Sequence, residues 1–236
     1  MNWVKADILK PTSYRQHLEG TNAVVHTMGI LLEADYKGVV SGKESPIAGL
    51  RRAFSETKKG SAKNPLEKGE ENDEGIGIGE EDGQITYELM NRDSALSLAV
   101  EAQAKDVETY AYISAAAGAP MLPARYITTK REAESLISSN FPRMRSLFFR
   151  PGLLYDSSRA FTMPIMAAGM IGHTANEWLF RGGLTRFLGA SVEKPIKADL
   201  LAEAVVEGIA EEEVRGVQQT KQIEALAAQA WRKGML

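Results

Sequence analysis

An α/β fold, with parallel strands covered by helices on both faces, is predicted by three features of the sequence. Short apolar runs of strand length alternate with longer stretches of helical period. The best of these runs, Ala23-Val24-Val25-His26-Thr27, is apolar without strict alternation, as a strand buried on both faces is. The 236 residues, 44% of them hydrophobic, suffice for one domain with a substantial core, and a single domain is expected over 1–236.

In chain order, Val4 to Leu9 reads as a short strand, Thr12 to Leu18 as a helical turn or two, and Ala23 to Thr27 as the buried strand. Helices are expected from about Ser45 to Phe54, Tyr87 to Lys105, Arg125 to Ser138 and Ala198 to Glu212. Strands are expected at Thr109 to Ser114, Ser146 to Arg150 and Gly216 to Ile223, with a last helix from Glu224 to Trp231. Such alternation favours a parallel sheet. Two stretches interrupt it. Residues 55–84 are rich in Lys, Glu, Asp, Gly and Asn and read as a flexible acidic insertion. Their Gly77-x-Gly79-x-x-x-Gly83 resembles a dinucleotide fingerprint only superficially, since no strand precedes it and Glu80, Glu81 and Asp82 would repel a pyrophosphate. Residues 161–189 are apolar and rich in Met and Gly. Core packing is the ordinary explanation, and an apolar flap that admits a hydrophobic molecule is the sharper one.

Composition excludes several classes of function. A net charge of −3 with scattered basic residues provides no footprint for nucleic acid. The absence of cysteine removes disulfides, thiolate metal sites and cysteine nucleophiles. His17, His26 and His173 lack ligand spacing, so no metal site is expected. No run approaches the roughly 18 apolar residues of a membrane span. Met1 to Asp7 has the character of neither a signal nor a transit peptide, so no targeting segment is expected in this chain.

The chemistry is concentrated in Ala124-Arg125-Tyr126-Ile127-Thr128-Thr129-Lys130. Positions i and i+4 share a helix face, so the Lys130 ammonium can lie near the Tyr126 phenol and favour its ionised form. A phenol of ordinary pKa about 10 then becomes usable as an acid or base near neutrality. Ser114, at the carboxyl end of the preceding strand, can hold a substrate carbonyl or hydroxyl. Ser, Tyr and Lys so placed are the working parts of hydride-transfer chemistry, and an ordinary surface Tyr–Lys pair is the competing explanation.

These residues recur in a recognisable order. Val24-Val25-His26-Thr27-Met28-Gly29, Asn91 within Tyr87 to Asp93, Tyr112-Ile113-Ser114-Ala115, Tyr126-x-x-x-Lys130 and Arg150-Pro151-Gly152 together resemble an atypical or extended short-chain dehydrogenase/reductase. The runs His26 to Leu50, Tyr110 to Glu134 and Ala198 to Leu236 are similar to the fungal mitochondrial short-chain-dehydrogenase-like group of coenzyme Q biosynthesis. That group is itself similar to the NAD(P)H-binding accessory subunit of respiratory complex I. The resemblance implies a Rossmann-like doubly wound sheet and NAD or NADP as cofactor. It implies Tyr126 as acid/base, Lys130 as its partner and a ribose ligand, and Ser114 as the substrate-orienting hydroxyl. Asp7 would meet the adenine, His26, Thr27 and Gly29 would line the cofactor, Asn91 would support the site, and Pro151 and Gly152 would form the turn beside the nicotinamide. Each has a plainer role open to it: Asp7 as the cap of a turn, Asn91 as packing for a helix, and Pro-Gly as the end of a strand.

In that family a strand, a Gly-rich turn and a helix precede the Asp7 region and hold the pyrophosphate. The expectation is therefore a fold lacking the first βαβ unit, with weak NAD(P) binding. The usual strand order would then leave a gap of roughly 14 Å beside Ala23 to Thr27, at about 4.8 Å per strand. That strand becomes an exposed apolar edge unless the Val4 segment pairs with it. The resemblance implies a matrix-side location at the mitochondrial inner membrane, a coenzyme Q biosynthetic complex as partner, a quinone-like hydrophobic ligand and peripheral membrane contact. Two functions compete: an NAD(P)-dependent oxidoreductase of quinone metabolism, and a catalytically silent scaffold subunit of a membrane-associated mitochondrial complex.

Overall fold

A computed structural model describes residues 1–30, 66, 86–118, 123–156 and 193–235. The expected helix over 45–54, the acidic insertion 55–84 apart from Leu66, and the apolar stretch 161–189 lie outside the described residues. The chain forms two compact units, Met1–Val107 with Met121–Pro142, and Glu108–Pro120 with Arg143–Leu236.

The first unit contains strand β1 (Ala23–His26), a π-helical segment Glu88–Asp93 that runs directly into helix α1 (Ser94–Ala104), and helix α2 (Ala124–Asn140). Helix α1 is rich in Ala and Leu, both strong helix formers, and Ala95, Leu96, Ala99 and Ala102 are fully buried. It ends where Asp106 takes a left-handed φ of 55°. The Val107 N–H then reaches the Ala102 carbonyl at 3.0 Å and the Asp106 N–H the Gln103 carbonyl at 3.1 Å, which is the paired bonding of a Schellman stop. Helix α2 ends for a different reason. Pro142 disfavours helical backbone at Phe141, whose φ and ψ are −122° and 55°.

The expected strand at Val4 to Leu9 is not formed. The Asp7 carboxylate accepts the Leu9 N–H at 3.0 Å and the Asp7 carbonyl accepts the Lys10 N–H at 2.9 Å, so the segment closes into a turn rather than pairing with β1. Two short 3₁₀ turns follow, Pro11–Ser13 and Arg15–Leu18, as the expected helical turns between Thr12 and Leu18. They are fastened to α1. The Tyr14 hydroxyl lies 3.2 Å from Ser97 Oγ, and Arg15 holds the Glu101 carboxylate through two bonds of 2.6 and 2.8 Å.

In the second unit, strands β2 (Thr109–Ile113), β3 (Arg145–Arg150) and β6 (Gly216–Gln219) pair in parallel in that order. Thr109 stands opposite Arg145 and Ile113 opposite Phe149, and Leu147 opposite Gly216. Helix α3 (Ala198–Ala210) precedes β6, and helix α4 (Thr220–Gly234) follows it. Their apolar faces close a core of Ala111, Leu147, Phe149, Leu201, Ala204 and Ile223. Gly208 permits α3 to lie close on β3, since a Cβ there would fall 3.0 Å from Phe149 Cζ. Parallel strands with interleaved helices are the fold class that the alternation predicts. One boundary differs: the strand expected over 216–223 stops at Gln219, and Ile223 is buried as a helix residue. A small parallel pair, β4 (Leu154–Tyr155) with β5 (Ile196–Lys197), is too short for periodicity to disclose.

Candidate active site

In the first unit, β1, the π-helical segment and α2 bring His26, Gly29, Asn91, Tyr126 and Lys130 together. Asn91 is fully buried; its Oδ1 accepts the Ile30 N–H at 3.0 Å, and its Nδ2 makes a long contact of 3.5 Å to Thr129 Oγ1. Thr129 Oγ1 itself donates to the Arg125 carbonyl at 2.7 Å. The loop after β1 is thus tied to the helix that carries Tyr126 and Lys130. A Cβ on Gly29 would stand 3.0 Å from Asn91 Oδ1 and 3.3 Å from Lys130 Nζ, so bare backbone, amide and ammonium meet at one point.

Lys130 is only 5% exposed, and its Nζ lies 5.9 Å from the centre of the Tyr126 ring. Burial lowers its pKa to about 8, a tendency that Glu134 opposes and Arg131 reinforces. Tyr126 differs from the expectation of an acidified phenol. Burial raises its pKa above 10, and the charge that acts to lower it is Arg131. Desolvation of the phenolate outweighs the charge of Arg131, so Tyr126 is held as a proton donor at neutral pH. His26, 1% exposed, lies with Nε2 3.0 Å from Ser94 Oγ. Because the Ser94 hydroxyl donates to the Met90 carbonyl at 2.8 Å, it can only accept from His26, which places the imidazole proton on Nε2. Burial, then the charge of Lys130, lowers the His26 pKa to about 3 and keeps the ring neutral.

The remaining candidates are placed as follows. In the second unit, Ser114 is buried just past β2, its N–H bonded to the Phe149 carbonyl at 2.7 Å, and the Ala116 N–H reaches the Pro151 carbonyl at 2.8 Å. Ser114 and Pro151–Gly152 therefore sit together at the carboxyl ends of neighbouring strands. Gly152 is closely approached by Glu193 Cβ and the Lys194 carbonyl, each 3.0 Å from where a Cβ would be. Thr27 and Gly29 are exposed. Asp7 is exposed and serves its own turn, its N–H bonded to Ser13 Oγ at 2.9 Å. Among the described residues, no group of three or more His, Asp or Glu is arranged to hold a metal, and no helix is long and apolar enough to cross a membrane.

Beyond Asn91, sequence reasoning passed over the residues that dock α2 on the π-helical segment: Thr129 as the partner of Asn91, Glu88 with Arg125, and Arg92 with Glu132. A signal existed, since Arg125, Thr129 and Glu132 recur at helical spacing with charges complementary to Glu88 and Arg92. The π turn itself leaves no trace in hydrophobic period, although such turns are frequent at functional sites.

These features define an α/β protein of Rossmann type, with parallel strands and interleaved helices. The structure of RMD from Pseudomonas aeruginosa complexed with NADPH shares the fold, with a TM-score of 0.50 and 16% identity over 96% of this chain and 71% of that one. MIOREX complex component 2 of Saccharomyces cerevisiae is 30% identical over an alignment of 233 residues, covering 92% of this chain and 78% of the yeast protein. The chain belongs to the family of that protein. No family model matches the chain.

Proposed function

We propose that the chain is a nicotinamide-dependent oxidoreductase of the short-chain type, in which Tyr126 supplies the proton that accompanies hydride transfer at a carbonyl. The supporting observation is the convergence of Lys130, Asn91 and Gly29. A buried ammonium beside bare backbone suits the vicinal hydroxyls of a ribose, and a side chain at position 29 would fill that place. NAD or NADP, when bound, supplies the hydride donor or acceptor. Lys130 donates to the ribose hydroxyls, Asn91 fixes the loop after β1 through the Ile30 N–H, and Tyr126 protonates the developing alkoxide. Ser114 orients the carbonyl by donating its hydroxyl. His26, Thr27, Pro151 and Gly152 line the cofactor and Asp7 meets the adenine, as the family resemblance implies.

The finer setting is mitochondrial, on the matrix side of the inner membrane, in coenzyme Q biosynthesis or quinone metabolism. Its support is the resemblance carried by His26 to Leu50, Tyr110 to Glu134 and Ala198 to Leu236. Kinship with a component of the MIOREX complex favours a second reading, in which the chain is a redox-silent subunit of a multiprotein complex.

Calorimetric titration with NADH and NADPH, followed by turnover with quinone and carbonyl substrates, separates the two. Under the enzyme reading Tyr126→Phe keeps cofactor affinity and lowers turnover by about 100-fold or more, while Lys130→Ala weakens both. A folded protein that binds neither nucleotide leaves the scaffold reading in possession.

A further inference from the structure

Tyr126 follows Arg125 on α2 by one residue, about 100° of helix rotation. The face that begins at Arg125 and continues through Thr129 and Glu132 is fastened to the π-helical segment at three successive points. Whatever fixes Arg125 therefore fixes the direction in which Tyr126 leaves the helix. Arg125 is held by two bonds to the Glu88 carboxylate, Nε to Oε1 at 2.9 Å and Nη2 to Oε2. Its guanidinium carbon also lies 5.8 Å from the centre of the Tyr87 ring, within cation–π range. Tyr87 is 1% exposed and meets Tyr126 edge to face, with ring centres 6.0 Å apart and planes at 70°. Glu88, Arg125, Tyr87 and Tyr126 thus form one continuous chain of contacts, and its first three members have no part in the chemistry assigned above.

We propose that Tyr87, clamped by the Arg125–Glu88 pair, is a positioning residue for Tyr126, fixing the plane of that ring and keeping water from it. The inference rests on Tyr126 being the proton donor. A free phenol ring on a helix can turn about two side-chain torsions, and a single aromatic neighbour held by a guanidinium restricts both. Arg125 faces the Glu88 carboxylate and the Tyr87 ring together, so loss of either charge of the pair releases Tyr87, and through it Tyr126. Burial is what raises the phenol of Tyr126, so the same contact governs when that proton can leave.

The test is a pH titration of the folded protein labelled with ¹³Cζ-tyrosine, the Tyr126 signal being the one absent from Tyr126→Phe. In the wild type this signal is expected to titrate above 10. Tyr87→Leu, which fills the space without an aromatic edge, and the double variant Arg125→Gln with Glu88→Gln, which releases the clamp without leaving an unpaired charge, are each expected to lower that midpoint by about half a unit or more. Tyr87→Phe, which keeps the ring contact, is expected to restore the wild-type midpoint. A Tyr126 titration unchanged in both Tyr87→Leu and the Arg125→Gln, Glu88→Gln double variant would overturn the proposal, and should Tyr87→Leu fail to fold, the double variant decides it alone. Loss of packing away from the Tyr126 ring lowers thermal stability without moving its phenol, because the desolvation that raises it is local. Failure of the oxidoreductase reading is recognised separately, by absence of nucleotide binding in the wild type, a measurement in which these variants take no part.

Discussion

Gly29 is the residue at which one methyl group sets the geometry of the site. The backbone there passes between an amide oxygen and an ammonium with no room for a Cβ beyond 3.0 Å from Asn91 Oδ1. Gly29→Ala is expected to push Asn91 or Lys130 aside, lowering stability by about 1–2 kcal/mol. It should weaken nucleotide binding by more than that loss of stability alone would. Urea denaturation and calorimetric titration of the same variant measure the two effects, and unchanged nucleotide affinity would detach Gly29 from the cofactor. The partnership of Tyr126 and Lys130 was legible from spacing because four residues along a helix restore the same face. The sign of the phenol's shift was not. Spacing reports which groups are neighbours, whereas the protonation of Tyr126 is decided by desolvation, which depends on residues as remote in sequence as Tyr87.

At the scale of elements, helices were legible to within a few residues wherever apolar period and a stop signal agreed, as in α2, which ends ahead of Pro142. Errors arose where side chains compete with backbone pairing. Asp7 captures the Leu9 amide and turns a strand-like run into a turn. The end of α3 depends on a residue from another element. Arg145, the first residue of β3, donates to the carbonyls of Gly208, Ile209, Glu211 and Val214 at 2.6–3.1 Å and to Thr109 Oγ1 at 3.0 Å. Carbonyls at a helix C-terminus lack intrahelical partners and carry the negative end of its dipole, so a guanidinium satisfies both. Arg145→Ala is expected to cost about 3 kcal/mol, and Arg145→Lys to recover only part of it, because an ammonium has three donors and no planar fork. Chemical denaturation checks this; a loss below about 1 kcal/mol would show that water replaces the guanidinium.

For the whole molecule, the buried site makes stability a function of pH on both sides of neutrality. His26 titrates at an ordinary 6.5 when unfolded and at about 3 in the fold, through burial and the charge of Lys130. The unfolded chain therefore binds the extra proton first, and the His26 contribution, complete above 6.5, is lost as pH falls towards 3, on the order of 5 kcal/mol in all. Lys130 has the same sign in another window. Its folded value of about 8 lies below 10.5, so its contribution is complete above 10.5 and is lost as pH falls through 8. Near neutrality the fold thus bears the burial of that ammonium, about 3 kcal/mol. Tyr126 runs the other way, since its raised value makes a contribution that is present below 10 and is lost as pH rises further. Stability is expected to rise between pH 8 and 10 and to fall steeply below 6.5, as read from urea midpoints across that range. His26→Gln retains a donor for Ser94 Oγ without a titrating ring and should flatten the acid limb; Lys130→Met should remove the rise above pH 8. An acid limb equally steep in His26→Gln would place the acid sensitivity on the carboxylates, and the neutral imidazole would no longer account for it.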